Sequence, residues 1–235
     1  MRLYIIRHAD PDYANDTITP AGHLEAAALA ERMASVGLDR VFCSPLGRAR
    51  ATAQYTCEAL KIAPVIEPWL AELSGCSIER SPWGKLTAWD CPGEVVRATA
   101  VESRRFDDAF YTDTYATAPV RQVFNDIIRN SDDLLARLGY ARDGGRYRIA
   151  DGNRLRVGVF CHGGFGLTWL AHLLEIPLPL VWSGFWLPPT SVTTILFDER
   201  SQQWAVPRCI GMGDVGHLYK AGLPVQPSGI KANFD

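Results

Sequence analysis

Short apolar runs that stop at a polar residue and lead into a helix are the feature that most constrains this 235-residue chain. The runs cover residues 3–6, 41–43 and 157–161, and a helical pattern follows each of them. Apolar runs this short are typical of strands that are buried on both faces. Strands that alternate with helices predict an α/β fold, a three-layer sandwich with a mostly parallel central sheet and helices on both faces.

The ends of the predicted helices have recognisable signals. Thr19 is a suitable N-cap, and Pro20 suits the first helical position because its missing N–H needs no partner there. Helices are predicted at 21–36, 44–60, 120–139 and 163–174, and two hairpin strands at 191–197 and 202–210.

Residues 74–119 interrupt this alternation. The segment contains Trp83 and Trp89 as well as Arg104 and Arg105, but it shows no clear periodicity. We interpret it as an insertion within one domain that covers residues 1–235, rather than as a second domain. Insertions on the carboxyl side of an α/β sheet often carry function, so the segment is predicted to form a lid over a ligand site.

The composition argues against several classes of protein. The net charge is −2 and 47% of the residues are hydrophobic, so neither nucleic acid nor an anionic membrane is an expected partner. The six cysteines form no C-x-x-C pair, which argues against a zinc site or a disulfide framework. The first apolar run is too short for a signal peptide and no run is long enough to span a membrane, so a cytoplasmic location is expected.

Polar residues follow three of the predicted strands at the point where each strand ends, in segments 7–8, 44–48 and 162–164. Ligands of open α/β sheets bind outside the carboxyl ends of the strands, so the three segments are expected to share one crevice. Arg48 falls near the start of a helix, where a cation opposes the helix dipole unless an anion is bound there. Arg50 follows two residues later and cannot face the same way.

Five segments, taken in chain order, carry a shared pattern. They are Arg7-His8, similar to R-H-G; 19–22, similar to T-x-x-G; 44–53, similar to S-P-L-x-R-A-x-x-T-A; 70–73, similar to L-x-E; and 161–164, similar to S-H-G-G. Together they resemble the motifs of the histidine phosphatase superfamily, the phosphoglycerate-mutase-like proteins. Each motif is weak alone, but the ordered set spans nearly the whole chain.

The resemblance implies a phosphatase that acts on a small phosphomonoester through a phosphohistidine intermediate, with His8 as the nucleophile. Arg7, Arg48, His162 and Gly163 would bind the phosphate, and His162 would also assist catalysis. Guanidinium forks suit a phosphoryl group because its charge is spread over three oxygens. His8 must be neutral to attack, and the nearby arginines are expected to lower its pKa.

The resemblance also implies a proton donor, for which Glu72 is the favoured residue. Asp10 and Asp12 lie close to His8 in the sequence and stay open as alternatives. The chemistry implies neither a metal nor a cofactor, and the oligomeric state, a homodimer included, stays open.

Departures from the family pattern bear on the substrate. Ala9 replaces the usual glycine, and Pro11 and Ala14 stand where the mutases have a serine and an asparagine. Hydrolysis is therefore favoured over the first alternative, a phosphoglycerate-type mutase. The second alternative is a non-catalytic phosphate-binding module, against which the presence of His8 and Arg48 argues.

Other chemistries fit less well. Cys161 precedes a glycine loop, as in cysteine phosphatases, but residues 163–169 contain no arginine, and no P-loop motif is present. His23, His172 and His217 have no metal-ligand spacing and are expected at helix surfaces or in packing.

Overall fold

Twelve strands and seven helices are present in residues 1–98 and 114–230, the part of the chain that the computed structural model describes. The strands are β1 (Arg2–Arg7), β2 (Pro11–Asp12), β3 (Thr17–Ile18), β4 (Arg40–Cys43), β5 (Val65–Ile66), β6 (Ser77–Arg80), β7 (Gly84–Thr87), β8 (Tyr140–Asp143), β9 (Arg146–Ile149), β10 (Arg156–Cys161), β11 (Val192–Glu199) and β12 (Trp204–Asp214). The helices are α1 (Pro20–Val36), α2 (Gly47–Leu60), α3 (Gly93–Ala98), α4 (Val120–Arg137), α5 (Gly163–Leu174), α6 (Leu178–Gly184) and α7 (Gly216–Ala221), with single 3-10 turns at Pro68–Leu70 and Ala88–Asp90.

Eight of these strands form one mixed sheet in the order β5-β4-β10-β1-β11-β12-β9-β8. The strands β5, β4, β10 and β1 run parallel, and the remaining four extend the sheet in antiparallel fashion from β1. The predicted α/β fold is confirmed, and its parallel strands bring the ends of β1, β4 and β10 to the same edge of the sheet.

Both faces of the sheet are covered by helices. On β1, Leu3 and Ile5 belong to the core cluster that α4 and α5 cover, whereas Tyr4 and Ile6 belong to the cluster under α1 and α2. This alternation follows from the two-residue period of a strand. It explains why the run is apolar throughout, since a strand in the middle layer has no solvent face.

Helix α1 begins and ends as its sequence predicts. The Thr19 hydroxyl accepts a hydrogen bond from the Gly22 N–H at 3.0 Å, and Pro20 occupies the first turn. Such a cap stabilises a helix by about 1 kcal/mol. Gly37 ends the helix with φ of 71°, a left-handed conformation that glycine adopts without strain.

The β8–β9 hairpin at the sheet edge was not predicted. Its strands have only four positions each, and only the second alternates arginine with apolar residues, which is too short for a clear period. Tyr140 and Tyr147 are its buried anchors and pack against Phe197 of β11.

The segment 74–119 contains more regular structure than its sequence indicates. Residues 74–98 form the β6–β7 hairpin, one 3-10 turn and α3. Residues 99–113, with Arg104 and Arg105, lie outside the described residues, so the lid remains a prediction. Within the described ranges, no helix is both long enough and apolar enough to cross a membrane.

Candidate active site

The three polar segments predicted to meet do lie together at the carboxyl ends of β1, β4 and β10. The His8 N–H donates to the Cys161 carbonyl at 2.9 Å, and the Ser44 N–H donates to the Phe160 carbonyl at 2.9 Å. These bonds continue the parallel pairing beyond the strands. They bring the rings of His8 and His162 to a centroid distance of 5.2 Å.

The His8 ring is buried and fixed in one orientation. Only 2% of the residue is exposed, and Nδ1 lies 2.7 Å from the Ala9 carbonyl oxygen. Because a carbonyl can only accept, Nδ1 must carry the ring hydrogen, which leaves the lone pair on Nε2. Burial, and then the charge of Arg7, hold the pKa of His8 well below its usual value, so the imidazole is neutral. The sequence predicted that nearby arginines lower the pKa of His8, but it did not indicate that burial has the larger effect on this pKa.

The second histidine is also neutral and is fixed by Ser44. The Ser44 hydroxyl lies 2.7 Å from His162 Nε2 and already accepts a bond from the Leu46 N–H, so we assign its hydrogen to the imidazole. The ring hydrogen of His162 then lies on Nδ1. Burial and the charges of Arg48 and Arg7 lower the pKa of His162 to about 3.

The two arginines of the motifs are held by different partners. Arg7 is buried and donates from Nη1 to the Leu187 carbonyl at 2.6 Å and to the Ser228 carbonyl at 2.9 Å. Arg48 donates from Nη1 to Asp16 at 2.6 Å. Arg50 is exposed, as expected.

Three buried donors of this crevice have no hydrogen-bond partner within the described residues: Arg7 Nε, Arg48 Nε and His162 Nδ1. A buried polar group without a partner costs about 1–3 kcal/mol, so three in one place require an explanation. An anion with several acceptor oxygens would satisfy all three. Gly163 leaves room beside them, because a Cβ there would lie 3.4 Å from Arg7 Nε.

The carboxylate of Asp16, a residue of the chain itself, lies at the start of α2, where the sequence predicted an anionic ligand. Asp16 accepts from the Gly47 N–H at 2.7 Å and pairs with Arg48. Gly47 is required by this contact, since a Cβ would lie 2.0 Å from the Asp16 carbonyl oxygen. Asp16 therefore offsets the unfavourable position of Arg48 and aligns its guanidinium group.

The Glu72 side chain lies against the N-terminus of α5, the helix that begins at Gly163, directly after His162. Its carboxylate accepts from the N–H groups of Phe165 at 2.7 Å, Gly164 at 3.1 Å and Leu73 at 3.1 Å. These bonds favour the charged form, but burial outweighs them and raises the pKa of Glu72. A carboxyl group with a raised pKa is suited to donate a proton near neutral pH.

The two alternative proton donors have other roles. One oxygen of Asp10 accepts from the Thr19 hydroxyl at 2.9 Å, and the other accepts from the Ser228 hydroxyl. Asp12 orders an exposed turn by accepting from Asn15 and Ala14, and the Asn15 bonds lower its pKa. Both aspartates are thus engaged in contacts that order the chain, and Glu72 stays the predicted proton donor.

Two observations bear on the other candidate chemistries. Burial raises the pKa of the Cys161 thiol, which makes it a poor nucleophile. In the two described ranges, no group of three or more His, Cys, Asp or Glu side chains is placed to hold a metal ion.

Glu25 is a buried carboxyl group near the site that the sequence analysis missed. It lies on α1, is 2% exposed, and accepts from the Asp10 N–H at 2.9 Å. Burial raises its pKa to about 7. A glutamate inside an Ala- and Leu-rich helix gives no local sign that it faces inward.

We predict that Glu25 makes the protein less stable as the pH rises. The pKa is about 7 in the folded state and 4.5 ordinarily, so the stability contribution is complete below pH 4.5 and is lost as the pH rises to 7. The loss amounts to about 3 kcal/mol. Urea unfolding at pH 5 and pH 8 should show this loss as a difference between the two proteins: between these pH values the wild type should lose about 2–3 kcal/mol more stability than Glu25→Gln, because the other buried groups titrate alike in both. Glu31→Gln, an exposed change on the same helix, should keep it; equal pH dependence in wild type and Glu25→Gln would contradict the prediction.

The fold and the site together define a class: an α/β protein whose strand ends gather two neutral imidazoles and two guanidinium groups in one buried crevice. The family model of the histidine phosphatase superfamily, branch 1, matches residues 3–209. The chain belongs to this superfamily, and the resemblance of its motifs is confirmed.

Solved structures with the same fold include two phosphatases. A phosphoserine phosphatase of Entamoeba histolytica, in complex with 3-phosphoglyceric acid, matches with a TM-score of 0.61 and 20% identity over 92% of this chain and 98% of that one. A mycobacterial glucosyl-3-phosphoglycerate phosphatase matches with a TM-score of 0.59 and 20% identity over 90% and 98%. At this identity the likeness shows the fold alone.

The curated relatives are named as mutases and not as phosphatases. A probable phosphoglycerate mutase GpmB of Erwinia tasmaniensis is 26% identical over 97 residues, which cover 37% of this chain and 45% of that protein. The corresponding protein of Serratia proteamaculans is 29% identical over 82 residues, 31% of this chain and 38% of that protein. The chain thus spans less than half the length of the curated relatives it matches.

Proposed function

We propose that this protein is a phosphatase that hydrolyses a small phosphomonoester through a phosphohistidine on His8. The observation that carries the proposal is the crevice itself, where a neutral histidine with its lone pair on Nε2 lies beside buried donors that lack partners. Donors held in advance around a developing charge stabilise it more than water does.

In the first step, His8 Nε2 attacks phosphorus. The N–P bond forms as the bond between phosphorus and the ester oxygen breaks, and Glu72 gives its proton to the departing oxygen. Arg7, Arg48 and His162 hold the three remaining oxygens throughout. Their charge and hydrogen bonds are already in position, so little reorganisation is needed when the transition state forms.

In the second step, water attacks the phosphohistidine. The Glu72 carboxylate takes a proton from the water, the N–P bond breaks, and inorganic phosphate leaves with His8 again neutral. The same group acts as acid and then as base, which a raised pKa allows near neutral pH. No metal enters either step, so EDTA is expected to leave the rate unchanged.

Hydrolysis is expected to exceed phosphoglycerate isomerisation. A mutase must retain the phosphoenzyme while its substrate reorients, and Pro11 and Ala14 replace two positions expected to help. We predict faster phosphate release from phosphoserine, sugar phosphates or 3-phosphoglycerate than isomerisation of 3-phosphoglycerate. Both rates can be followed in one reaction by phosphate detection and by NMR. Isomerisation faster than every hydrolysis would identify a mutase instead.

The segment that begins at residue 74 is proposed to select the leaving group. Trp89 is half-buried and packs so close to Gly164 that a Cβ there would lie 2.7 Å from its ring. The same absent Cβ would lie 2.9 Å from Glu72 Oε1, so Trp89 borders the position from which the proton is given.

We therefore predict that Trp89→Ala changes kcat/KM for the preferred substrate by about 10-fold while sparing a small aryl phosphate. The control is Trp83→Ala, because Trp83 is exposed at the turn between β6 and β7. An equal fall in kcat/KM for all substrates, together with a lower Tm, would show that Trp89 only stabilises the fold.

A further inference from the structure

Thr190 is a strained residue in contact with the backbone of His8. Its φ is +56°, a left-handed conformation that is unusual for a β-branched side chain, and it is 0% exposed. Its N–H donates to the His8 carbonyl at 3.2 Å. Strain of this kind persists only where neighbouring groups enforce it.

His217 is the side chain that hydrogen-bonds to the Thr190 hydroxyl. Its Nε2 lies 3.0 Å from the Thr190 hydroxyl, and that hydroxyl donates to the Pro189 carbonyl at 2.7 Å. The hydroxyl therefore accepts from His217, and Nε2 must carry the ring hydrogen. His217 is 5% exposed, so it is a buried residue at the start of α7 and not a surface one.

Arg32 fixes the other side of the His217 ring. Its Nη1 lies 3.4 Å from His217 Nδ1 and 2.9 Å from Asp214 Oδ1. A guanidinium group can only donate, which agrees with a hydrogen on Nε2 and a lone pair on Nδ1. Burial and the charge of Arg32 lower the pKa of His217 to about 4, so the ring stays neutral.

We infer that His217 and Thr190 are positioning residues for the nucleophile, in a chain of contacts that runs from Arg32 through His217 and Thr190 to the His8 carbonyl. The inference rests on the proposed function. The His8 N–H is held by Cys161 and its ring by Ala9, whereas its carbonyl is held by Thr190 alone among the described residues. Loss of the His217 bond would let Thr190 relax and shift the backbone of His8. A displacement of about 1 Å can cost about 100-fold in rate.

The test measures aryl phosphate turnover in His217→Leu and Thr190→Val, which remove the hydrogen bond at similar volume. We expect kcat to fall about 10- to 100-fold. KM and the inhibition constant of inorganic phosphate should change less than about 3-fold, because Arg7, Arg48 and His162 are unaffected. The double variant should be no slower than the slower single one, since both changes break the same link. His217→Gln and Thr190→Ser keep the donor and the hydroxyl and should restore most of the rate.

His172→Leu is the matched control. His172 is 6% exposed, lies on α5, and bonds Asp132 at 2.9 Å, so its loss should lower Tm while kcat stays within about 2-fold. A His217→Leu variant that loses Tm but keeps kcat would overturn the inference alone. A wild-type protein that hydrolyses no phosphoester would overturn the proposed function, and the inference with it.

Discussion

His8→Ala should lower phosphate release by about 10⁴-fold or more, the largest effect expected of any substitution in this protein. Without the imidazole there is no group to accept the phosphoryl, and water would have to attack an ester directly. The remaining donors would still bind phosphate, so the loss should appear in kcat rather than in the affinity for inorganic phosphate. Initial rates with an aryl phosphate and phosphate titration by calorimetry measure the two quantities.

His23→Ala serves as the control for that experiment. His23 is exposed on α1 and its side chain hydrogen-bonds only to Tyr55 among the described residues, so its loss should leave the rate within about 2-fold. A His8→Ala protein that keeps a tenth of the wild-type rate would show that His8 is not the nucleophile.

Glu72→Gln should give the second largest effect, and the effect should depend on the leaving group. General acid catalysis contributes about 10²–10⁴-fold, and alkyl phosphates need all of it because an alkoxide leaves poorly. An aryl oxide leaves without a proton, so the loss on aryl phosphates should be about 10-fold or less in the first step. Asp10→Asn is the comparison variant, and it should affect both substrates alike.

Glu72→Gln should also change the pH dependence of the rate on alkyl phosphates. Glu72 acts as an acid only while protonated, and its pKa is raised by burial. The rate on alkyl phosphates should therefore hold below that raised pKa and fall as the pH rises through it. Glu72→Gln should lack this fall; a fall that persists unchanged would assign the proton to another group.

The fold could be predicted because its signals are local. Strand β1, the Thr19 cap and the Gly37 end of α1 are each visible within a few residues of sequence. The four residues proposed to bind phosphate could be grouped from the sequence because they lie at or shortly after the ends of strands, and parallel strands bring those ends together.

The contacts that tune the site could not be predicted because they join distant parts of the chain. Asp16 reaches Arg48 across a turn, Ser228 reaches Arg7 from the far end of the described chain, and Glu25 faces inward from an ordinary helix. The proposed role of Thr190 depends on its positive φ, which the residue type does not indicate. The β8–β9 hairpin was missed for a simpler reason, since four-residue strands that contain arginines have too few positions to show a period.

The central claim is a covalent phosphohistidine on His8, and rapid quenching of the working enzyme tests it most directly. Wild-type protein should be mixed with a fast aryl phosphate, quenched without acid within milliseconds, digested and analysed by mass spectrometry. The expected result is a phosphate on the peptide that contains His8, stable in alkali and lost in acid, and absent from His8→Ala. A phosphate found on Ser44 or Cys161, or full turnover with no phosphorylated peptide at any time, would contradict the claim.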